Sequence, residues 1–415
     1  VPPHHSFYGS NIFLTLLSKK TKILPRSWIA FLLIFSLGVV ESATDIYIPS
    51  MPRLVLDFKT STEHVGFTIS AYFFAFCLMG PVYGPLSDAL GRRKVFIAGM
   101  FFFTLFSFLC ALSTTIESLI CFRFLQGLGA SVAWILGLSI VKDIYPPQES
   151  FKMISVIGAI VAIVPGIAPV MGGYIALFLG WRFIFWTVGF LAFLALLFLV
   201  FTFKETLPPE KRQKLDLRVA MKNYWVLLKN DRFLYYASIS GLMFSGLMVN
   251  VSISPFYYIE HLKISPEKYG YFQMTLVLAY VIGTYINRKA MKHIQVFSLL
   301  GMGLLCSLTG ASLLFIFAVY CPLWPWLLTG GMAFYSFGAG IAFSNTSNCA
   351  LEVFPEAGGT SAALLGVIET VLVALGIGLA GLIYVDTFWP IGIFQIVCVG
   401  ASLLFWKKLK PFQVS

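Results

Sequence analysis

The sequence predicts an all-α polytopic membrane protein, with twelve transmembrane helices in two pseudo-symmetric six-helix bundles. Three observations predict it. The first is composition: of 415 residues, 58% are apolar and only 11% charged, with a mean hydropathy of +0.85. A soluble domain averages about 45–50% apolar and about 25% charged. There is too little polar surface here to cover a water-soluble globule, so lipid must solvate the excess. The second is a series of twelve apolar runs near the ~20 residues that cross a bilayer. The third is one long polar loop that divides those runs six and six.

In order, the spans are expected at 28–48, 65–86, 95–114, 117–140, 153–177 and 182–203, then 234–258, 268–287, 294–319, 324–346, 358–382 and 384–406. Lys19, Lys20, Lys22 and Arg26 precede the first, as in a secretory signal. That run is nevertheless too long, lacks a small-residue cleavage site and contains Glu41 and Asp45, so it reads as a retained first helix. The opening residues 1–18 start on Val, hold His4 and His5, and read as a trimmed beginning that carries little information. The domain plan is a tail over 1–27, a bundle over 28–203, a connecting loop over 204–233, a second bundle over 234–406 and a tail over 407–415. Gly84 and Asp88 close the second span at the same spacing as Gly283 and Asn287 close the eighth, each pair followed by basic residues. Two related bundles of this kind form a known transporter architecture, with the substrate between them.

Orientation follows from Lys and Arg. With the N-terminus inside, the inner segments hold 23 of the 29 basic residues and the outer segments hold 5. Both termini are therefore expected on the cytoplasmic side. The net charge of +11 is accounted for by these loops, so no nucleic-acid partner is inferred. The remaining basic residue, Arg123, falls inside the fourth span.

The seven cysteines are scattered singly, with no metal-ligand spacing, and read as small apolar residues. His4, His5, His64, His261 and His293 all lie outside the apolar runs. No metal or cofactor is expected, and proton handling inside the membrane falls to carboxylates. The chain contains no H-E-x-x-H, G-x-S-x-G or G-x-x-x-x-G-K-[ST] pattern. An enzyme is therefore not expected, nor ATP drive within this chain.

Ionisable groups at membrane depth are costly and point to function. Four stand out: Glu41, Asp45, Arg123 and Glu369. Glu41 and Asp45 lie one turn apart on one face of the first span. Two close carboxylates in a low dielectric resist double ionisation, so one is expected to hold a proton that a cationic or polar substrate displaces. The alternative is a structural polar pair between helices. Arg123 needs a carboxylate, backbone carbonyls or water, and either tunes the first span's acids or snorkels to an interface. Gln126, Gly127, Gly129 and Ala130 beside it admit a close neighbouring backbone. Glu369, in the eleventh span, either faces the central cavity or ties two helices.

Pro49 breaks the outer end of the first span. Pro165, Pro169, Gly172 and Gly173 bend and thin the fifth, as suits a rocking interface. The turn Gly84-Pro-Leu-Ser-Asp88-Ala-Leu-Gly91-Arg92-Arg93 has glycine at both ends. Its acid can accept from the next helix's N-terminus or pair with an arginine. Tyr47, Tyr72, Trp134, Tyr257 and Tyr335 are the pocket candidates, aromatic residues on helices expected to line the cavity.

These residues match a known pattern. The Gly84–Arg93 turn resembles the loop signature of the major facilitator superfamily, departing from it at Ala89, where a basic residue is common. Arg123…Gly127 resembles that superfamily's fourth-span motif. Pro165-Gly-Ile-Ala-Pro169…Gly172-Gly173 is similar to its antiporter motif, with Ala168 where glycine is usual. Asp45-x-Tyr-x-Pro49-x-x-Pro52 and Glu205-Thr-Leu-Pro208 look like the twelve-span drug:proton antiporters of the bicyclomycin- and chloramphenicol-resistance (Bcr/CflA-like) group. The resemblance implies a monomer in a bacterial inner membrane, surrounded by lipid. It implies export of lipophilic or cationic small molecules in exchange for protons, by alternating access. It assigns proton and substrate exchange to the Asp45 position and support to Arg123. Glu41 has no counterpart there, and glutamine is more usual at the Glu369 position. The alternative on the same fold is a proton-coupled importer or exporter of a specific metabolite or siderophore-like compound.

Overall fold

The computed structural model describes residues 26–212, 224–354, 358–384 and 386–409. Most of the expected N-terminal tail, the middle of the connecting loop and residues 410–415 of the C-terminal tail lie outside these residues.

Twelve long helices cover the expected spans: α1 (Arg26–Asp45), α2 (Thr62–Leu90), α3 (Arg92–Ala111), α4 (Ile116–Ile144), α5 (Pro147–Phe178) and α6 (Trp181–Thr202), then α7 (Asp231–Pro255), α8 (Pro266–Ala290), α9 (Val296–Tyr320), α10 (Pro325–Glu352), α11 (Gly358–Ile383) and α12 (Trp389–Leu409). A short helix, Met51–Phe58, follows α1. Local chemistry sets the boundaries. Ser61 accepts from the His64 amide at the start of α2, Thr115 and Ser118 form a capping box on α4, and Asn230 caps α7. Gly91 (φ 99°) and Gly180 (φ 87°) turn the chain between α2 and α3 and between α5 and α6.

Eleven of these helices are both long and apolar enough to cross a membrane. The exception is α8, which is 25 residues long but carries Glu267, Lys268, Arg288 and Lys289 at its ends and Gln273 and Asn287 within. Its interior polar groups are paired: Gln273 donates to Ser254 at 2.9 Å, and Asn287 exchanges amide hydrogen bonds with Asn345 at 3.1 and 2.9 Å. Three boundaries differ from expectation by five residues or more. α5 begins at Pro147 and α10 runs on to Glu352, because hydropathy marks the hydrocarbon crossing while the helices continue into polar surroundings. α12 begins only at Trp389, after Asp386 takes a left-handed φ of 53°.

The packing shows the internal symmetry. In the first half α1 packs on α4, α5 and α6, α2 on α4, and α3 on α4 and α6. Adding six to each label gives the second half: α7 on α10, α11 and α12, α8 on α10, and α9 on α10 and α12. Between the halves, α2 packs on α11 and α5 on α8, two contacts that the same operation exchanges. This is a pseudo-two-fold relation between six-helix bundles. One face carries the basic turn after α2, and the short helix after α1 lies on the far face, where it packs against the wide turn Phe256–His261 after α7.

Candidate functional site

The first span supplies one wall of the site. Asp45 is the last residue of α1 and is buried, while Glu41, one turn earlier, is half-buried. The indole N–H of Trp134, on α4, donates to the Glu41 carboxylate. Asp45 lies within electrostatic reach of both Glu41 and Arg123.

Arg123 is fully buried. Its Nη1 donates to the Ala43 carbonyl at 3.2 Å and to Gln126 Oε1 at 2.6 Å. Gln126 in turn donates to Ser107 at 2.7 Å, which joins α3 to the arrangement. The guanidinium lies 4.4 Å from the ring centre of Tyr72, 4.8 Å from Tyr47 and 5.9 Å from Phe185. The aromatic faces offset part of the cost of burying this charge. Its Nε and Nη2 have no hydrogen-bond partner among the described residues. The arginine thus sits beside the first span's acids, yet its direct bond to that helix goes to backbone. Tyr47 shares a 2.5 Å hydrogen bond with Thr68, and Tyr72 donates to the Val40 carbonyl at 3.4 Å. Both rings cage the arginine. Gly127 and Gly129 allow this closeness, since a methyl on them would overlap the backbones of Tyr72 and Phe103.

The turn after α2 builds a charged latch. Asp88 pairs with Arg92 Nη1 at 2.6 Å, and Arg92 Nε pairs with Asp143 at 3.1 Å, at the end of α4. The Arg92 amide donates to Glu205 at 2.8 Å, and Glu205 lies 3.8 Å from Arg212. Arg93 donates to the carbonyls of Phe203 and Val200 at the end of α6. At Gly91 the positive φ and the adjacent Glu205 carboxylate leave no room for a side chain. At Gly84 a methyl would meet nothing within 4 Å, so the glycine is not required by any neighbour in this arrangement. Sequence reasoning missed Asp143, whose signal is an acid at the basic-face end of the fourth span.

On α5, Pro165 and Pro169 lie inside the helix. A methyl at Gly172 would overlap the Ile46 carbonyl, and one at Gly173 would overlap the backbone of Pro266 and Glu267 at the start of α8. Consecutive glycines therefore press α5 against the end of α1 and against the opposite half.

Glu369 stands apart, in the second half. Ser240 on α7 donates to its carboxylate at 2.5 Å and is itself 3.2 Å from Ser347 on α10. Two pocket candidates also lie away from the first-span cluster. Tyr335 donates to the Met243 carbonyl inside the second bundle, and Tyr257 donates to Pro322 at the far face, beside a cavity of about 490 Å³ lined with Phe388 and Trp389. Backbone carbonyls already occupy both hydroxyls. Trp134 is the candidate that touches a carboxylate.

Two halves related by a pseudo-two-fold, with carboxylates and a caged arginine inside their apolar helices, have the build of a membrane transporter. Residues 29–377 match the Major Facilitator Superfamily, and the chain belongs to it. It is 32% identical over 370 residues to the uncharacterized MFS-type transporter YdgK of Bacillus subtilis, covering 88% of this chain and 91% of that one. It is 28% identical over 361 residues to the chloramphenicol resistance protein CraA of Acinetobacter baumannii, covering 86% and 85%. Among solved structures, a bacterial homologue of the human lysosomal transporter Spinster, described as inward-facing and occupied, superposes with a TM-score of 0.72 at 16% identity, over 92% of this chain and 97% of that one. The fold is therefore that of the superfamily, and the chain is an integral membrane protein.

Proposed function

We propose that the protein exports lipophilic or cationic drug-like compounds across a bacterial inner membrane in exchange for protons, by alternating access. The observation that carries this reading is the grouping of Glu41 and Asp45 with the caged Arg123 where α1 meets α4. A proton and a cationic substrate compete for the same carboxylate charge, so loading one expels the other. The guanidinium is a permanent charge that takes no part in the exchange and fixes the end of α1 through the Ala43 carbonyl. The resistance named in the Acinetobacter relative supports drug-like cargo.

In this reading the segments 28–203 and 234–406 rock as two bodies about the α2–α11 and α5–α8 contacts. Gly172 and Gly173 are the bearing. Gly84, Asp88, Gly91, Arg92 and Arg93 form the latch that ties the basic turn to α4 and to the segment after α6. The basic face and both termini are cytoplasmic, and a monomer in lipid suffices.

The test is transport in inverted membrane vesicles with an imposed proton gradient. The wild type should accumulate a lipophilic cation as protons leave the lumen, and Asp45→Asn should lower coupled uptake by about tenfold or more. Proton-coupled uptake at the wild-type rate in Asp45→Asn would remove this residue from the coupling. Accumulation only in right-side-out vesicles would instead identify an importer.

A further inference from the structure

The second half contains a carboxylate that the proton-exchange reading does not use. Glu369 is half-buried on α11, with Ser240 of α7 donating to it at 2.5 Å and Ser347 of α10 adjoining that serine. Two residues before it, the Val367 carbonyl accepts from the Cys77 thiol, and the Val367 side chain lies 3.6 Å from where a methyl on Gly80 would be. Both partners belong to α2, so this stretch of α11 adjoins the seam between the halves, while Glu369, two positions on, turns toward α7 and α10. Phe244 on α7 and Phe343 on α10 stand one helical turn from Ser240 and Ser347, the serines at the Glu369 carboxylate. The Phe343 ring centre is 5.8 Å from that of Phe244 and 6.5 Å from that of Tyr280 on α8. All three rings are half-buried rather than sealed. A carboxylate beside aromatic faces is the chemistry that holds an organic cation. The first half has the same pair of elements, Glu41 with the Trp134 indole.

We propose that Glu369, with Tyr280, Phe244 and Phe343, forms a second organic-cation subsite, so that the transporter accepts substrates with two separated positive charges, one held by each half. This rests on the reading of Glu41 and Asp45 as the first cation site. A dication spanning both subsites meets one carboxylate from each bundle, and a monocation needs only the first.

The experiment is equilibrium binding to the full-length protein in lipid nanodiscs, with tetraphenylphosphonium as monocation and dequalinium as dication. Glu369→Gln, which keeps the shape of the side chain, should weaken dequalinium by about tenfold, the size of one lost charge contact, and leave tetraphenylphosphonium within about twofold. The unchanged monocation affinity also reports an intact fold. Phe343→Leu should show the same selective loss. Equal effects on both ligands, or none on dequalinium, overturn the second subsite while leaving the exporter reading in place. Failure of the wild type to bind either cation overturns both. A lower count of protons released per tetraphenylphosphonium in Glu369→Gln, with dequalinium affinity unchanged, would make Glu369 a proton site and overturn the proposal.

Discussion

A guanidinium sealed among aromatic rings needs every hydrogen bond available, and Arg123 makes two, both from Nη1. Rings 4.4 and 4.8 Å away supply the remaining stabilisation. A lysine in this place would bring a compact ammonium that cannot lie flat between Tyr47 and Tyr72 while reaching both Ala43 and Gln126. Arg123→Lys is therefore expected to cost about 1–3 kcal/mol, the size of leaving buried polar groups unmatched. Thermal unfolding in detergent would read that loss, and substrate-induced proton release should fall with it. The four membrane-depth charges were legible from sequence because an ionisable residue in an apolar run is conspicuous by itself. Their partners were not. Ser240 and Glu369 are 129 positions apart, and Arg92 and Asp143 are 51 apart, so no spacing rule joins them. The partners of the pocket tyrosines were hidden for a related reason: aromatic residues make up 16% of the chain, and helix phase alone does not reveal that a carbonyl accepts from the Tyr257 and Tyr335 hydroxyls.

At the scale of one helix, α5 is defined by what it lacks. Gly172 faces the Ile46 carbonyl and Gly173 faces the backbone of Pro266 and Glu267. Backbone cannot move aside as the tip of a side chain can, so an added methyl must push helices apart. Gly172→Ala should destabilise the protein by about 1–3 kcal/mol, the usual cost of overpacking. Gly84→Ala is the control: a methyl there meets nothing, and alanine favours a helix over glycine by up to about 1 kcal/mol. Comparing the two melting curves tests whether close approach, rather than the loss of a helix glycine as such, sets the cost. Sequence reading recognised that the Pro/Gly run thins α5. It did not show which glycine meets which neighbour, because that depends on the rotation of α5 about its axis, which tertiary packing sets.

Over the whole molecule, the number and order of helices were legible because apolar length is a property of the chain taken one segment at a time. The least apolar helix, α8, was still found, since its charged residues lie at its ends. Sidedness, too, is a property of the entire chain. If the basic face is cytoplasmic, alkaline phosphatase fused after Lys263 should be active and the same reporter fused after Lys292 inactive, with green fluorescent protein giving the reverse; any other pattern would invert the orientation proposed here. The two halves match helix for helix but differ where their turns are fastened. After α2 the fastening is ionic and partly exposed, with the Asp88 side chain 38% and that of Arg212 31% accessible. After α8 the corresponding position holds the Asn287–Asn345 amide pair, buried and uncharged. Dissolved salt weakens partly exposed ion pairs, while buried neutral amides carry no net charge for it to screen. The two ends of the internal duplication therefore answer differently to the osmotic condition of the cell: with the basic face cytoplasmic, a rise in ionic strength there loosens one fastening and spares its twin.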